Sequence, residues 1–228
     1  MDDYWNQYWN YSDIINRENK HAQVGRTIQG IPLEGWLWDK TIEFVFNHLD
    51  LELSMSALDL CAGNGLITEP LSQKVKFVIA VDCSKKFIDS INKKQLENTT
   101  AICCDARSFK FKDNFFDISI CYFALQHFKV HESIELFRNI YHLMKPGGKF
   151  YIGDIPDLDR IWEFHSTDNY KSVFFESLER REPIIGTWYK KDTLINLSKY
   201  IGYSKQEIIT QEKFMINNHY RFDMLLIK

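Results

Sequence analysis

Leu58 to Thr68, LDLCAGNGLIT, decides how the rest of the chain is read. It predicts a short apolar strand, Ala57 to Leu60 entered from Ser56, then a tight Gly63-Asn64-Gly65 turn and a helix from near Leu66. Glycine suits that corner because the turn can demand a positive φ and because a side chain would block a ligand lying on the backbone. The helix start beyond it offers free N–H groups to an anion. The next apolar run, Lys76 to Val81, ends at Asp82, about twenty residues on, where a carboxylate can accept hydrogen bonds from ribose hydroxyls. A strand-to-helix turn with no ligand would use the same residues, so the later motifs have to decide.

A dinucleotide site would want a third glycine three residues after Gly65, and Thr68 stands there. On Asp59, Ala62, Gly63, Asn64 and Gly65 the chain resembles the class I S-adenosylmethionine (SAM)-dependent methyltransferases of the type 11/25 kind. The resemblance implies a Rossmann-like α/β fold, with a mostly parallel seven-stranded sheet, an antiparallel last strand and an N-terminal helical lid. It also implies SAM as cofactor and S-adenosylhomocysteine (SAH) as product.

The length of 228 residues suits one domain. A net charge of -3 argues against nucleic acid or an anionic membrane as partner. No apolar run approaches a bilayer's thickness, and the acidic, aromatic start MDDYWNQYWN is unlike a secretory signal, so a cytoplasmic protein is expected. Cys61, Cys83, Cys103, Cys104 and Cys121 form no CxxC pair and read as small buried residues in a reducing compartment.

Residues 1–56 are expected to cap the sheet. Tyr4, Tyr8 and Tyr11 recur at helical spacing, as do Trp5 and Trp9, and Leu33 to Leu49 reads as an amphipathic helix. Arg26, in the polar island from Gln23, could reach a carboxylate. The core, 57–153, continues with a helix over Lys85 to Glu97, a strand over Thr100 to Cys104, a strand over Phe116 to Cys121 and a helix over Ile134 to Leu143. Lys145-Pro146-Gly147-Gly148-Lys149 then launches a strand from Phe150 to Gly153, a further signature of the resembled group. Residues 154–190 read as a substrate-binding insert. Residues 191–228 read as a helix to Tyr200 and two closing strands, Lys205 to Thr210 and Arg221 to Ile227.

By resemblance, Asp82 and Cys83 meet the ribose side of the cofactor, Asp105 and Ala106 the adenine, and Cys121 and Tyr122 the edge above the fourth strand. Arg107 is expected to stay solvated. His127 and Asp154 are the candidate catalytic residues, and Tyr8, Arg160, His165, Trp188 and Tyr189 are expected to border the acceptor. No acidic residue stands at Cys121 or Tyr122 to complete a metal site with Asp168, so no metal is expected.

The expected activity is methyl transfer to an O or N atom of a small molecule. A sugar or sugar phosphate is one class, since stretches such as GDIPDLDR and GTWY resemble methyltransferases of bacterial surface-polysaccharide gene clusters. A protein or nucleic-acid methyltransferase and a non-catalytic SAM-binding subunit remain the alternatives. Oligomeric state is not readable from the sequence.

Overall fold

The computed structural model describes residues 4–11, 13–182 and 184–228. Seven strands form one sheet: β3 Ser56–Leu60, β4 Phe77–Asp82, β5 Thr99–Cys103, β6 Phe116–Tyr122, β7 Met144–Pro156, β8 Lys205–Ile209 and β9 Arg221–Ile227. Their order is β5-β4-β3-β6-β7-β9-β8. The first five run parallel, and β9 lies antiparallel between β7 and β8. A short hairpin, β1 Thr27–Ile28 with β2 Ile31–Pro32, stands apart.

From β3 the chain winds outward through β4 and β5, then returns to place β6 on the other side of β3. The switch point therefore lies between β3 and β6, and the carboxyl ends of those strands open a crevice. Every residue of β3 is buried, as a central parallel strand covered on both faces must be. Ala57 and Val78 face α3 (Gly35–Asn47) through Trp38, Ile42 and Val45. Leu58, Leu60, Ile79 and Val81 face the other way, onto Leu136, Phe137 and Ile140 of α6 (Val130–Leu143) and Leu194 of α9 (Lys191–Ile201). Helix α5 (Lys85–Lys93) buries Phe87, Ile88 and Ile91, the inward face expected of it.

Several boundaries differ from the sequence reading, among them the end of α5, which stops at Lys93 where Glu97 was expected. Helix α4 is Thr68–Ser72, two residues later than expected, because the glycine turn continues to Ile67. Pro70 then sits in its first turn, where a missing N–H costs nothing. Helix α6 starts four residues early, since Glu132 Oε2 accepts the Lys129 N–H at 2.7 Å and caps it there. The Lys145–Lys149 segment lies inside β7, with a register shift against β6 between Phe116 and Ile118. Among the described residues no helix is long and apolar enough to cross a membrane.

The insert is helical: α7 Ile161–Phe164 and α8 Asp168–Arg180. At the other end of the chain, α1 Tyr4–Tyr11 and α2 Lys20–Gln23 precede the hairpin. The cysteines correct one expectation. Only Cys121 is buried, Cys61, Cys83 and Cys104 are partly buried, and Cys103 is exposed because it ends edge strand β5.

Candidate active site

A cavity of about 390 Å³ opens at the switch point, within the range of small-molecule sites. Its walls come from the ends of β3, β4, β5 and β6, and α1 contributes Tyr4, Trp5 and Trp9 over the top. Cys61 and Phe123, just past β3 and β6, and Asp154, two residues before the end of β7, all hold left-handed backbone, with φ of 56°, 57° and 59°. Such conformations are costly for side chains other than glycine and tend to gather at sites the surrounding structure over-determines.

Asp82 ends β4 with one carboxylate oxygen accepting the Gly63 N–H at 2.9 Å and the other the Ser84 N–H at 2.8 Å. Burial pushes its pKa up to about 6 against those two amides. Asp59 is buried too and accepts the Thr68 hydroxyl at 2.6 Å; burial raises it to about 7, with Thr68 opposing and Asp82 adding to the rise. Thr68 thus fills the place of a third glycine with a partner for the strand carboxylate. Asn64 ties the turn to the N-terminal segment by donating to the Lys20 carbonyl and to Gln23 Oε1, both at 2.8 Å.

The two glycines of the turn serve different ends. Gly63 lines the cavity at φ 55°, and a Cβ there would come within 3.0 Å of Val24. Gly65 does not line it: at φ 82° it lets α5 approach, with Ile91 only 2.9 Å from where a Cβ would stand.

Of the other residues read from the sequence, Arg26, Ala62, Cys83, Asp105, Ala106, Tyr122 and His127 also line the cavity. Cys121 does not, since it is wholly buried on the sheet's other face. Arg107 corrects an expectation: it grips Asp105 through Nε and Nη2 and reaches Glu132 through Nη1. Burial raises the Asp105 carboxyl, but Arg107 outweighs it and holds the group below its usual range.

Asp154 stands outside the cavity. Its neighbours are Arg26 Nη1 at 2.5 Å, Asn217 at 3.0 Å, Gln211 at 3.2 Å and Arg221 Nε at 3.9 Å, all in the interior. Burial alone would raise this carboxyl, yet the two arginines hold it below the usual range. Asp154 is a counter-charge, with no free approach to a substrate.

The insert residues expected at the acceptor lie elsewhere as well. His165 and Trp188 pack with Phe164, Phe174 and Tyr220. Arg160 pairs with Glu163, and the Tyr189 hydroxyl donates to the Phe128 carbonyl at 2.7 Å. Tyr8 stacks on Tyr4 and meets Trp9 edge-on without reaching the cavity. What the insert does contribute is Arg181, Gly186 and Thr187. None of the three was among the acceptor residues read from the sequence; Gly186 and Thr187 are placed by their contacts with Gln126.

His127 is half-buried between Trp5 and Trp9, at ring-centroid distances of 4.2 and 5.6 Å. Desolvation, and then Arg221, push its pKa down to about 3. It is a neutral hydrogen-bonding group at physiological pH and a poor store for a proton.

The residues fit the cofactor the motifs implied. Arg26 is buried, lines the cavity and has an unpartnered Nη2, which suits the amino acid carboxylate of SAM. The Asp82 carboxylate retains lone pairs for ribose hydroxyls.

Residues 57–148 match the profile of a family described as a methyltransferase domain. This segment is a class I methyltransferase domain. Over 144 residues the chain is 28% identical to a demethylmenaquinone methyltransferase of Paenarthrobacter aurescens, covering 63% of this chain and 53% of that protein. The chain spans about half the length of the curated relatives it matches. Among solved structures, a SAM-dependent methyltransferase of Leishmania major superposes with a TM-score of 0.70 at 14% identity, covering 98% of this chain and 81% of that one. The magnesium protoporphyrin IX methyltransferase of Synechocystis, with SAH bound, gives 0.66 at 14% identity over 99% and 98%. At that identity the likeness is one of fold.

Proposed function

We propose that this chain is a SAM-dependent methyltransferase acting on an O or N atom of a small molecule. The observation that carries the reading is the convergence of Asp82, the Gly63 turn, Asp105-Ala106 and Arg26 on one cavity at the switch point. Bound SAM supplies a methyl group already activated on a sulfonium. What remains for the chain is positioning and the exclusion of water. Asp82 holds hydroxyl donors, Arg26 meets the carboxylate, and the amides around Gly63 leave the backbone open to close approach. Trp5 and Trp9 cover the cavity from above and keep solvent from the transfer. His127, neutral and with an unpartnered Nδ1, orients the acceptor's O–H or N–H and leaves the released proton to solvent.

A cavity roofed by α1 favours a small acceptor over a protein or nucleic acid, whose target atom would have to pass Trp5 and Trp9. Arg160, His165, Trp188 and Tyr189, expected to border the acceptor, all lie outside the cavity. The lining combines aromatic side chains with charged ones, Trp5, Trp9 and Phe123 beside Arg26, Lys129 and Arg181.

The test is to incubate the protein with methyl-labelled SAM and a cell extract divided into low- and high-molecular-weight fractions. Label transferred to a small molecule, with SAH formed in equal amount, is the expected result. Transfer confined to the macromolecular fraction, or none from either fraction, would overturn the reading.

A further inference from the structure

Three parts of the chain remote in sequence close one corner of the cavity. Trp5 and Trp9 flank His127; the Thr187 N–H donates to the Gln126 carbonyl at 2.8 Å; and Gly186 lies so close that a Cβ would stand 2.2 Å from that carbonyl oxygen and 3.2 Å from Trp5. Only glycine, at φ 109°, lets the insert seat itself there. The corner carries an unpartnered, buried nitrogen, His127 Nδ1.

The charges lining the cavity are sorted. Asp59 and Asp82, at the ends of β3 and β4, have a hydroxyl and amides as partners and make no ion pair with a described residue. Asp105 and Glu132 share Arg107, and Arg26 is matched by Asp154. Two lining cations remain with no ion pair among the described residues: Lys129, two residues beyond His127, and Arg181, which closes α8 in left-handed backbone at φ 59°. Both are exposed. The cofactor's carboxylate already has Arg26, so these two cations are left for the other molecule in the cavity.

We propose that the methyl acceptor is a small anion, a carboxylate or a phosphate monoester, whose charge is met by Arg181 with Lys129 while its nucleophilic atom lies against His127 and Trp5. The proposal rests on the methyltransferase reading. In the transfer, a lone pair on the acceptor's O or N forms the bond to the methyl carbon as the carbon–sulfur bond breaks, and that pair stays on sulfur. The acceptor's proton then passes to solvent.

The test uses protein saturated with SAH and follows tryptophan fluorescence during titration with matched probes: phenyl phosphate against phenol, and 4-hydroxybenzoate against 4-hydroxybenzamide. The anion of at least one pair is expected to bind about tenfold more tightly than its neutral twin, and which pair shows this separates phosphate from carboxylate. Arg181→Gln should cut the preference below about threefold while SAH affinity stays within about twofold, with Lys129→Gln giving a smaller loss. Equal binding of the twins, a preference that survives Arg181→Gln, or no anion binding below about 10 mM would overturn the proposal. Failure of SAH itself to bind would instead overturn the methyltransferase reading.

Discussion

The carboxyl ends of β4 and β7 lie on the same edge of one sheet, and both carry an aspartate. At β4, Asp82 is buried against backbone amides and faces the cavity. At β7, a register shift against β9 between Ile152 and Ile155, with Asp154 at φ 59°, turns the second aspartate into the interior among Arg26, Arg221, Gln211 and Asn217. Position at the binding edge therefore does not make a carboxylate a site residue. What separates the two is the partner set: amides leave the Asp82 charge available, whereas two guanidinium groups consume that of Asp154.

That contrast can be broken at either end. The largest effect is expected from Asp154→Ala, which leaves Arg26 and Arg221 buried without their counter-charge. Urea unfolding should show a loss of about 3–5 kcal/mol. A change below about 1 kcal/mol would mean that the network is solvated and that Asp154 is free for chemistry. Gly63→Val is expected to cost about 1–2 kcal/mol of stability, from a side chain at φ 55°, and to abolish SAH binding with the circular dichroism spectrum retained.

The third test is pH. Hydroxyl donors need Asp82 ionised, so SAH affinity should be full above about pH 6 and fall by at most about tenfold per unit below it. Asp82→Asn should flatten that profile; an unchanged profile would assign it to another group. On folding the sign is opposite. A pKa raised from 3.8 to about 6 means the folded chain holds the proton more tightly, so this stabilisation is present below pH 3.8 and lost as pH rises through 6. The smallest effect belongs to Arg160→Ala, which removes an exposed ion pair with Glu163. It should change stability by less than about 1 kcal/mol and leave methyl transfer intact, and a loss of transfer would return the residue to the acceptor site.

How much the sequence disclosed follows the range of the interactions. The glycine turn, Asp59, Asp82, Asp105-Ala106 and the seven strands of the main sheet follow local pattern, although β7 runs over Met144–Pro156, well beyond the Phe150 to Gly153 read for it. The acceptor side was not legible. Arg160, His165, Trp188 and Tyr189 have the composition of a binding surface, yet their partners are Glu163, Phe174, Tyr220 and the Phe128 carbonyl. Thr187 and Gly186 reach the cavity only because of contacts with Gln126 and Trp5, sixty and more residues away. Arg107 was misread because its second carboxylate, Glu132, comes from α6, 25 residues further along the chain.

The central claim is that the cavity at the switch point takes SAM through Asp82, and calorimetric titration with SAH tests it most directly. One site per chain is expected in the wild type, with affinity weakened by about 1.5–3 kcal/mol in Asp82→Ala because a charge-assisted hydrogen bond is lost. No SAH binding, NADH binding in its place, or the same affinity in the variant as in the wild type would contradict it.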